Sequence, residues 1–220
     1  MTPEEADRLL EISIAETLKQ FEASSEGLTA AKAKDKRNVS GLNTIPPPLS
    51  APAWLCCLLP CLLHTESMEK FHECVPEHAF VKRNGKWIKL DASSIVIGDL
   101  IKVEAGERVP ADIRLLEIKG SCSFDTWAVS GHHHTLKSDI NQSTPEYIGS
   151  PNMALCGYLC KSGECVGIVV AVGEDIVISK KIRKKEFPPN DKKVWFFTHA
   201  LEKNHHIYRK VWCVNFRLPF

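Results

Sequence analysis

Short apolar runs separated by turn residues constrain the fold of this chain most, and they extend from residue 79 to residue 172. The segment AFVKRNGKWIKL places Asn84-Gly85 between two such runs, which is the strongest short-range signal for a β-hairpin. Gly98-Asp99 and the segment 106–110 separate the later runs, which lie at 95–97, 100–103, 113–118 and 166–172. Short strands with frequent turns predict a mainly β domain, built as a sandwich or a jelly-roll-like barrel.

The N-terminal part has a helical pattern instead. Apolar residues fall close to one helical face over 4–21, which predicts an amphipathic helix, and a second short helix is predicted at 28–37. Three consecutive prolines at 46–48 forbid a helix and favour an extended linker. The apolar run at 53–63 has about half of the roughly 20 residues that a membrane-spanning helix needs, and Pro60 interrupts it. We therefore expect no complete transmembrane span.

The charge balance and the cysteine content of the chain limit which cellular compartments and which binding partners are plausible. The chain has 220 residues, with 28 basic against 27 acidic side chains, so no long-range field would attract nucleic acid. Its nine cysteines have no regular spacing, which is typical of a reducing compartment. The acidic, polar N-terminus is not a secretory signal. We expect a chain that is cytoplasmic or peripherally membrane-associated and that binds no nucleic acid.

Three stretches of the sequence resemble the P-type cation-transporting ATPases, and most closely the alpha subunits of the sodium/potassium and proton/potassium pumps. GLTAAKAKDKRNVSGLNTIPPP, at 27–48, resembles the cytoplasmic segment before the first membrane helix. AFVKRNGKWIKLDASSIVIGDLIKVEAGERVPADIRLLEIKG, at 79–120, resembles the body of the actuator domain, and 154–182 resembles its closing strands. The most specific part is the scaffold motif GDLIKVEAGERVPAD, which contains Gly98, Asp99, Gly106, Pro110 and Asp112.

The resemblance implies a mainly β, distorted jelly-roll-like actuator domain with a helical N-terminal extension and an irregular C-terminal tail. The family's membrane hairpin, phosphorylated-aspartate motif and nucleotide-binding domain have no counterpart in these 220 residues, so we expect a truncated form. We divide the chain into a helical cytoplasmic segment at 1–45, a Pro-rich linker with a remnant apolar segment at 46–78, an actuator-like β domain at 79–183 and an unassigned tail at 184–220.

The loop at 130–133 departs from the family in a way that bears on activity. Where the family has Thr-Gly-Glu-Ser, this chain has Ser130, Gly131, His132 and His133. The family's glutamate helps to position and activate water against an aspartyl-phosphate, and His132 stands at its place. Histidine can act as a base near neutral pH, but this sequence has no phosphorylated-aspartate motif. We therefore expect a degenerate loop without catalytic residues.

A zinc site at His132, His133 and His134 is the alternative use of this loop, because imidazole is a common zinc ligand. The downstream Cys156, Cys160 and Cys165 are spaced C-x3-C and C-x4-C, without the pairing that zinc fingers use. The spacing favours a solvated polar loop and ordinary buried thiols, so no metal and no cofactor is expected. Polar residues of the scaffold are interpreted as turn and surface groups that fix the β frame, namely Asp99, Arg108 and Asp112.

Two functions are compatible with these observations. The first is a non-catalytic actuator fragment, an interaction or regulatory module whose partner is a full-length P-type ATPase alpha subunit. The second is a component of an active cation-transporting ATPase that works beside other chains in ATP-driven exchange of sodium or protons for potassium. Missing catalytic parts favour the first, and the family resemblance alone supports the second.

Overall fold

Strands of the computed structural model form one antiparallel sheet of seven strands within the described residues, which are 8–48, 66–141, 144 and 146–187. The apolar run at 53–63 and most of the tail lie outside them. The strands run in the order β2-β1-β3-β7-β4-β5, and β6 pairs with β4. Their bounds are β1 His78–Arg83, β2 Lys86–Asp91, β3 Leu100–Glu104, β4 Asp112–Asp125, β5 Thr135–Lys137, β6 Met153–Ala154 and β7 Leu159–Ala171.

Short helices precede and follow the strands in sequence, and one lies between β4 and β5. They are α1 Ile14–Gln20, α2 Ala30–Ser40, α3 Glu66–Cys74, α4 Trp127–Ser130 and α5 Val177–Arg183, with 3-10 turns at Ala92–Ser94 and Gly173–Asp175. The predicted mainly β fold with a helical N-terminal extension is therefore confirmed. The domain boundaries at 45, 78 and 183 remain predictions. None of the described helices combines the length and the apolar character that crossing a bilayer requires.

The β1–β2 hairpin is present as predicted. Asn84 and Gly85 connect the strands with positive φ angles of 50° and 76°, the conformation that a two-residue type I′ turn requires. The N-terminal segment contacts this turn, because the Gly85 amide donates to the Glu26 carbonyl at 2.8 Å and the Asn84 amide to the Leu28 carbonyl at 3.1 Å. The hairpin is thus held from both the sheet and the N-terminal extension.

Strands β4 and β7 form the centre of the sheet. They pair from Asp112 opposite Ala171 to Asp125 opposite Leu159, with several register shifts. The runs predicted at 113–118 and 166–172 are parts of these two strands, and the run at 100–103 lies in β3, so these predictions are confirmed. The structure extends β4 and β7 well beyond the apolar runs, because cross-strand pairing continues through their polar halves.

The strand predicted at 95–97 is wrong. These residues follow the 3-10 turn Ala92–Ser94 and lie in a loop before β3. Ile95 and Val96 are nevertheless fully buried, and the Val96 amide donates to the Asp99 carboxylate at 3.0 Å. The Val96 amide therefore bonds to a carboxylate instead of to a neighbouring strand. This apolar run is buried in the core although it lies in a loop.

The single helix predicted over 4–21 is also wrong in its continuity. Residues 8–11 are helical, and α1 then begins anew after Ser13. The Ser13 hydroxyl accepts the Glu16 amide at 3.3 Å, and the Glu16 carboxylate accepts the Ser13 amide at 3.0 Å. This capping box stabilises a new helix start. Helix α2, predicted at 28–37, lies slightly later at Ala30–Ser40 and is capped by Thr29.

Four apolar clusters hold the described residues together, and the smallest consists of Leu28, Ala33 and Val96. The main core lies among the strands and includes Val81, Ile95, Ile101, Val103, Ile113, Leu115, Phe124, Leu155, Tyr158 and Val169. A second cluster packs α3 and α5 against β7 through Phe71, Cys74, Ala171, Ile178, Ile182 and Phe187. In the third, Leu9 and Leu10 cover Leu100, Met153, Ile168 and Val170. The N-terminal extension therefore completes the packing of the sheet.

Candidate functional site

The segment that contains the predicted loop at 130–133 begins where β4 ends, at Asp125. Helix α4 is a single turn that ends at Gly131, whose φ of 80° lies in the left-handed region, and the Gly131 amide donates to the Trp127 carbonyl at 2.9 Å. The Thr126 amide donates to the His134 carbonyl at 3.1 Å. This bond brings the two ends of the loop together, so the four predicted loop residues form one closed turn.

The Ser130 side chain is bonded within the loop itself. Its hydroxyl lies 3.0 Å from the carbonyl oxygens of Thr126 and His132 and accepts the His132 amide at 3.3 Å. The Thr126 hydroxyl oxygen also lies 3.0 Å from the Ser130 hydroxyl oxygen. These contacts give Ser130 a structural part in shaping the turn.

Asp125 is the residue around which the loop is organised. Its Oδ2 lies 2.8 Å from His133 Nδ1 and 3.2 Å from Lys161 Nζ, while its Oδ1 accepts the Trp127 amide at 3.0 Å. Burial of the side chain, which is 9% exposed, raises the pKa of Asp125. The hydrogen bonds from His133, the Trp127 amide and Lys161 act in the opposite direction and are together stronger than the effect of burial. The net result is a pKa of Asp125 below its ordinary value.

His133 is exposed but oriented. Its side chain is 73% exposed, and its ring stacks on Trp127 with centroids 5.8 Å apart and planes inclined by 15°. An ionised carboxylate only accepts hydrogen bonds, so the pairing with Asp125 places a proton on Nδ1. The other nitrogen, Nε2, is then left as an acceptor when the ring is neutral and as a donor when it is protonated.

Helix α3 contributes to the same surface. The Lys70 ammonium lies 5.8 Å from the centroid of the Trp127 ring, a cation–π geometry. Together with His133 and Lys161, this gives a cationic and aromatic surface around a buried carboxylate. We call Asp125, Trp127, His133 and Lys161 the loop anchor.

The scaffold residues are buried deeper than predicted. Asp99 was expected at the surface, but its side chain is 0% exposed and accepts two hydrogen bonds from the Arg83 guanidinium at 3.0 and 2.6 Å. Asp112 is also fully buried. The surface part of the interpretation is wrong, because a carboxylate that receives backbone amides or a guanidinium can lie in the core.

Asp112 joins three parts of the domain. It accepts the Cys156 amide at 2.9 Å and the Val177 amide at 3.0 Å, so β4 is tied both to the segment after β6 and to the start of α5. Burial raises the pKa of this carboxyl to about 6, although the two amides and Lys180 act in the opposite direction. Arg108, half-buried, donates to the Gly157 carbonyl at 2.9 Å.

The remaining scaffold residues shape turns around the sheet. The Gly98 amide donates to the Val169 carbonyl at 2.8 Å, and the Gly106 amide donates to the Cys160 carbonyl at 2.8 Å. The Pro110 carbonyl accepts the buried Asn43 side-chain amide at 3.1 Å. The structure thus separates the predicted site residues into a loop group, organised around Asp125, and a scaffold group bonded to the sheet.

Sequence reasoning missed three members of the loop anchor. Asp125 and Trp127 lie in the segment FDTW, five and three residues before Ser130. A carboxylate two residues before a helical turn was therefore a usable signal. Lys161 lies 36 residues after Asp125, on β7, and only strand pairing brings it there. No group of three or more His, Cys, Asp and Glu side chains within the described ranges has a geometry that could hold a metal ion.

The structure is an antiparallel β domain whose longest strand ends in a closed turn, and a buried carboxylate holds that turn. These features place the protein in the class of β domains that present a loop. Family comparisons make this specific. The P-type ATPase actuator domain matches residues 73–186, and the N-terminus of cation transporters and ATPases matches residues 11–59. Since the first match covers more than half of the chain, the chain belongs to the P-type ATPase actuator domain family.

Two individual proteins are similar to parts of this chain. The chain is 33% identical over 115 residues to the sodium/potassium-transporting ATPase subunit alpha-3 of Gallus gallus, a match that covers 51% of this chain and 11% of that protein. The chain therefore spans only about a tenth of the length of this relative. A crystal structure of a zinc-transporting PIB-type ATPase in the E2.Pi state aligns with 75% of this chain and 27% of its own, at 19% identity and a TM-score of 0.43.

Proposed function

We propose that this chain is a non-catalytic actuator-type module, related to the alpha subunits of sodium/potassium or proton/potassium pumps, that acts by binding. The observation that carries the proposal is that no carboxylate at the loop, which lies within the described residues, is placed to activate water, as the two residues concerned show. The position of the family's glutamate holds His132, and Asp125 is 9% exposed and engaged by His133 and Lys161. A carboxylate in these bonds has no free oxygen to orient a water molecule against phosphorus.

The partner in this proposal is a full-length P-type ATPase alpha subunit. The identity to an alpha-3 subunit supports the choice, since a related β domain can compete for the contacts that the pump's own actuator domain makes. We place the chain in the cytoplasm or at the membrane surface, where such contacts would be accessible. The binding surface is the loop anchor, because its exposed imidazole and lysine are oriented before binding.

Binding of the purified chain to membranes that contain a sodium/potassium pump tests the proposal. We expect saturable binding at micromolar concentration, which His133→Ala weakens at least several-fold. The matched control is His78→Ala, because His78 also pairs with a carboxylate, Asp91 at 3.3 Å, but lies on the β1–β2 hairpin. Absence of saturable binding removes the proposal, and equal losses from both variants would place the interaction elsewhere.

The alternative is that the chain works as a component of an active cation-transporting ATPase. Its support is the match to the actuator family over 114 positions at 73–186, which retains the frame in which an active loop is held. Phosphate release from ATP distinguishes the two functions. An active component raises the turnover of added pump, and a His132→Ala variant abolishes the increase. A non-catalytic module leaves turnover unchanged or lowers it.

A further inference from the structure

Three buried cysteines belong to the main core and are not part of the loop anchor. Cys122 is on β4, and Cys160 and Cys165 are on β7. All three side chains are almost fully buried and belong to the same apolar cluster. They carry no disulfide in the structure. The sequence predicted ordinary buried thiols at Cys160 and Cys165, a description that does not account for their grouping with Cys122.

A distortion of the central strand pair brings Cys122 close to β7. The register passes from Lys119 opposite Glu164 to Ser123 opposite Ser162, so β4 has two more residues than β7 in this interval. Gly163 faces the bulge, and a Cβ on it would lie 2.8 Å from Cys122 Cα. The two strands therefore approach closely at the position that separates Cys160 from Cys165.

The three cysteines lie around this part of the strand pair. Cys160 pairs with Phe124 and Cys165 pairs with Ile118, on either side of Cys122. Cys160 Sγ lies 3.4 Å from the Ser162 carbonyl and 3.8 Å from the Gly163 carbonyl, beside the residue that faces Cys122. The thiols of Cys160 and Cys165 both interact with the Cys122 sulfur, and donation to that sulfur lowers the pKa of Cys122. The same contacts raise the pKa values of Cys160 and Cys165. Cys122 thus lies between Cys160 and Cys165 along the strand pair.

We propose that Cys122 is a site of reversible oxidation, and that it forms a cross-strand disulfide with Cys160 or Cys165. The oxidant is a small peroxide. The Cys122 thiolate attacks one peroxide oxygen, the O–O bond breaks, and hydroxide leaves with formation of a sulfenic acid. The second thiol attacks that sulfur, the S–S bond forms, and the S–O bond breaks as water leaves. Two thiols and one hydrogen peroxide give one disulfide and two water molecules.

A disulfide from Cys122 to Cys160 would constrain the loop. The chain between Cys122 and Cys160 contains the whole loop anchor except Lys161, so the disulfide closes the segment that carries the loop. Since the thiols are buried, their oxidation requires transient opening at the β-bulge. The reaction is therefore slow in the native chain and is accelerated by low concentrations of denaturant.

Peptide mapping of the intact chain after treatment with hydrogen peroxide tests the proposal. Trypsin cleavage after Lys119, Lys137, Lys161 and Lys180 places each of the three cysteines on a different peptide, at 120–137, 138–161 and 162–180. The expected product is the 120–137 peptide joined to one of the other two, with fragmentation separating Cys160 from Cys156. Dithiothreitol reverses it. The melting temperature of the oxidised chain rises by about 5–10 °C.

Variants separate the disulfide from general oxidation. Cys122→Ala abolishes the cross-link, and so does the double variant Cys160→Ser/Cys165→Ser, which keeps Cys122 itself. Cys74→Ser is the matched control, because Cys74 is equally buried but lies on α3, and it leaves the cross-link intact. Recovery of only unlinked 120–137 peptide from folded, peroxide-treated protein overturns the proposal, as does a cross-link that persists in the double variant.

Discussion

Asp125 and His133 are joined across the loop that separates them, with 2.8 Å between Oδ2 and Nδ1. Seven residues lie between Asp125 and His133 in sequence, and the bond makes the turn a defined surface. The same carboxylate accepts the Trp127 amide and pairs with Lys161. One side chain therefore determines both the start of α4 and the orientation of the exposed ring.

Replacement of Asp125 tests whether the carboxylate holds the loop. Asp125→Asn keeps the shape but removes the charge that pairs with His133 and Lys161, so we expect a loss of stability of about 1 kcal/mol. Amide hydrogen exchange at 130–134 should accelerate at least several-fold, because the Thr126–His134 closure loses its support. The control is Asp91→Asn on the hairpin, which should leave exchange in the loop unchanged.

Acid should weaken the same contact in the unmodified chain. The folded pKa of Asp125 is below its ordinary value, so its contribution is complete above the unfolded pKa near 3.9 and is lost as the pH falls through the folded pKa. Loop exchange, corrected for intrinsic rates, should therefore rise only in strongly acidic solution. A loop that already loosens between pH 5 and 7 would contradict this assignment.

Asp112 should give the opposite pH dependence. Its pKa is about 6 in the folded chain, against an ordinary value of 3.8, so the folded state binds the additional proton between these values. Stability then falls as the pH rises from about 3.8 to about 6, by up to about 3 kcal/mol from this group. Urea unfolding at a series of pH values measures the slope. In Asp112→Asn the slope from this group is absent, and an unchanged slope would refute the prediction.

Two glycines with similar backbone angles should differ in how well they tolerate alanine. Gly106 has a φ of 92° and open space around a new Cβ, whereas Gly163 has a φ of 79° and the Cys122 backbone in the way. Gly106→Ala should cost about 1–2 kcal/mol through backbone strain alone. Gly163→Ala adds steric overlap and should cost about 1–3 kcal/mol more. Equal midpoints in urea unfolding would show that the bulge can open freely.

A buried ion pair and an exposed ion pair should contribute different amounts to the free energy of unfolding. Asp99 is 0% exposed and bonded to Arg83, whereas Lys119, 60% exposed, forms a surface pair with Glu164. Arg83→Met leaves a buried carboxylate without its charged partner, so we expect a loss of about 3–5 kcal/mol. Lys119→Met should cost less than about 1 kcal/mol. Chemical unfolding of both variants measures the difference, and a small effect of Arg83→Met would mean that water reaches Asp99.

Local sequence signals were reliable where the determinants are adjacent in the chain. The Asn84-Gly85 hairpin, the strand at 100–103 and the helix near 28–37 follow from turn preference and periodicity, because residues within a few positions decide them. The same local reasoning failed at 95–97, where a buried β-branched run lies in a loop, and at Ser13, where a capping box interrupts an apparently continuous helical pattern.

The amino-acid sequence by itself was sufficient to predict the family and the mainly β fold, since the motifs and the short apolar runs between turn residues depend only on residue order. Tertiary structure alone decided that Asp99 and Asp112 are core residues, that Lys161 meets Asp125, and that Cys122 lies between Cys160 and Cys165. The physical reason is that each of these contacts joins separate strands or segments. Burial, the pKa of a carboxyl and the grouping of thiols arise only when strand pairing brings distant residues together.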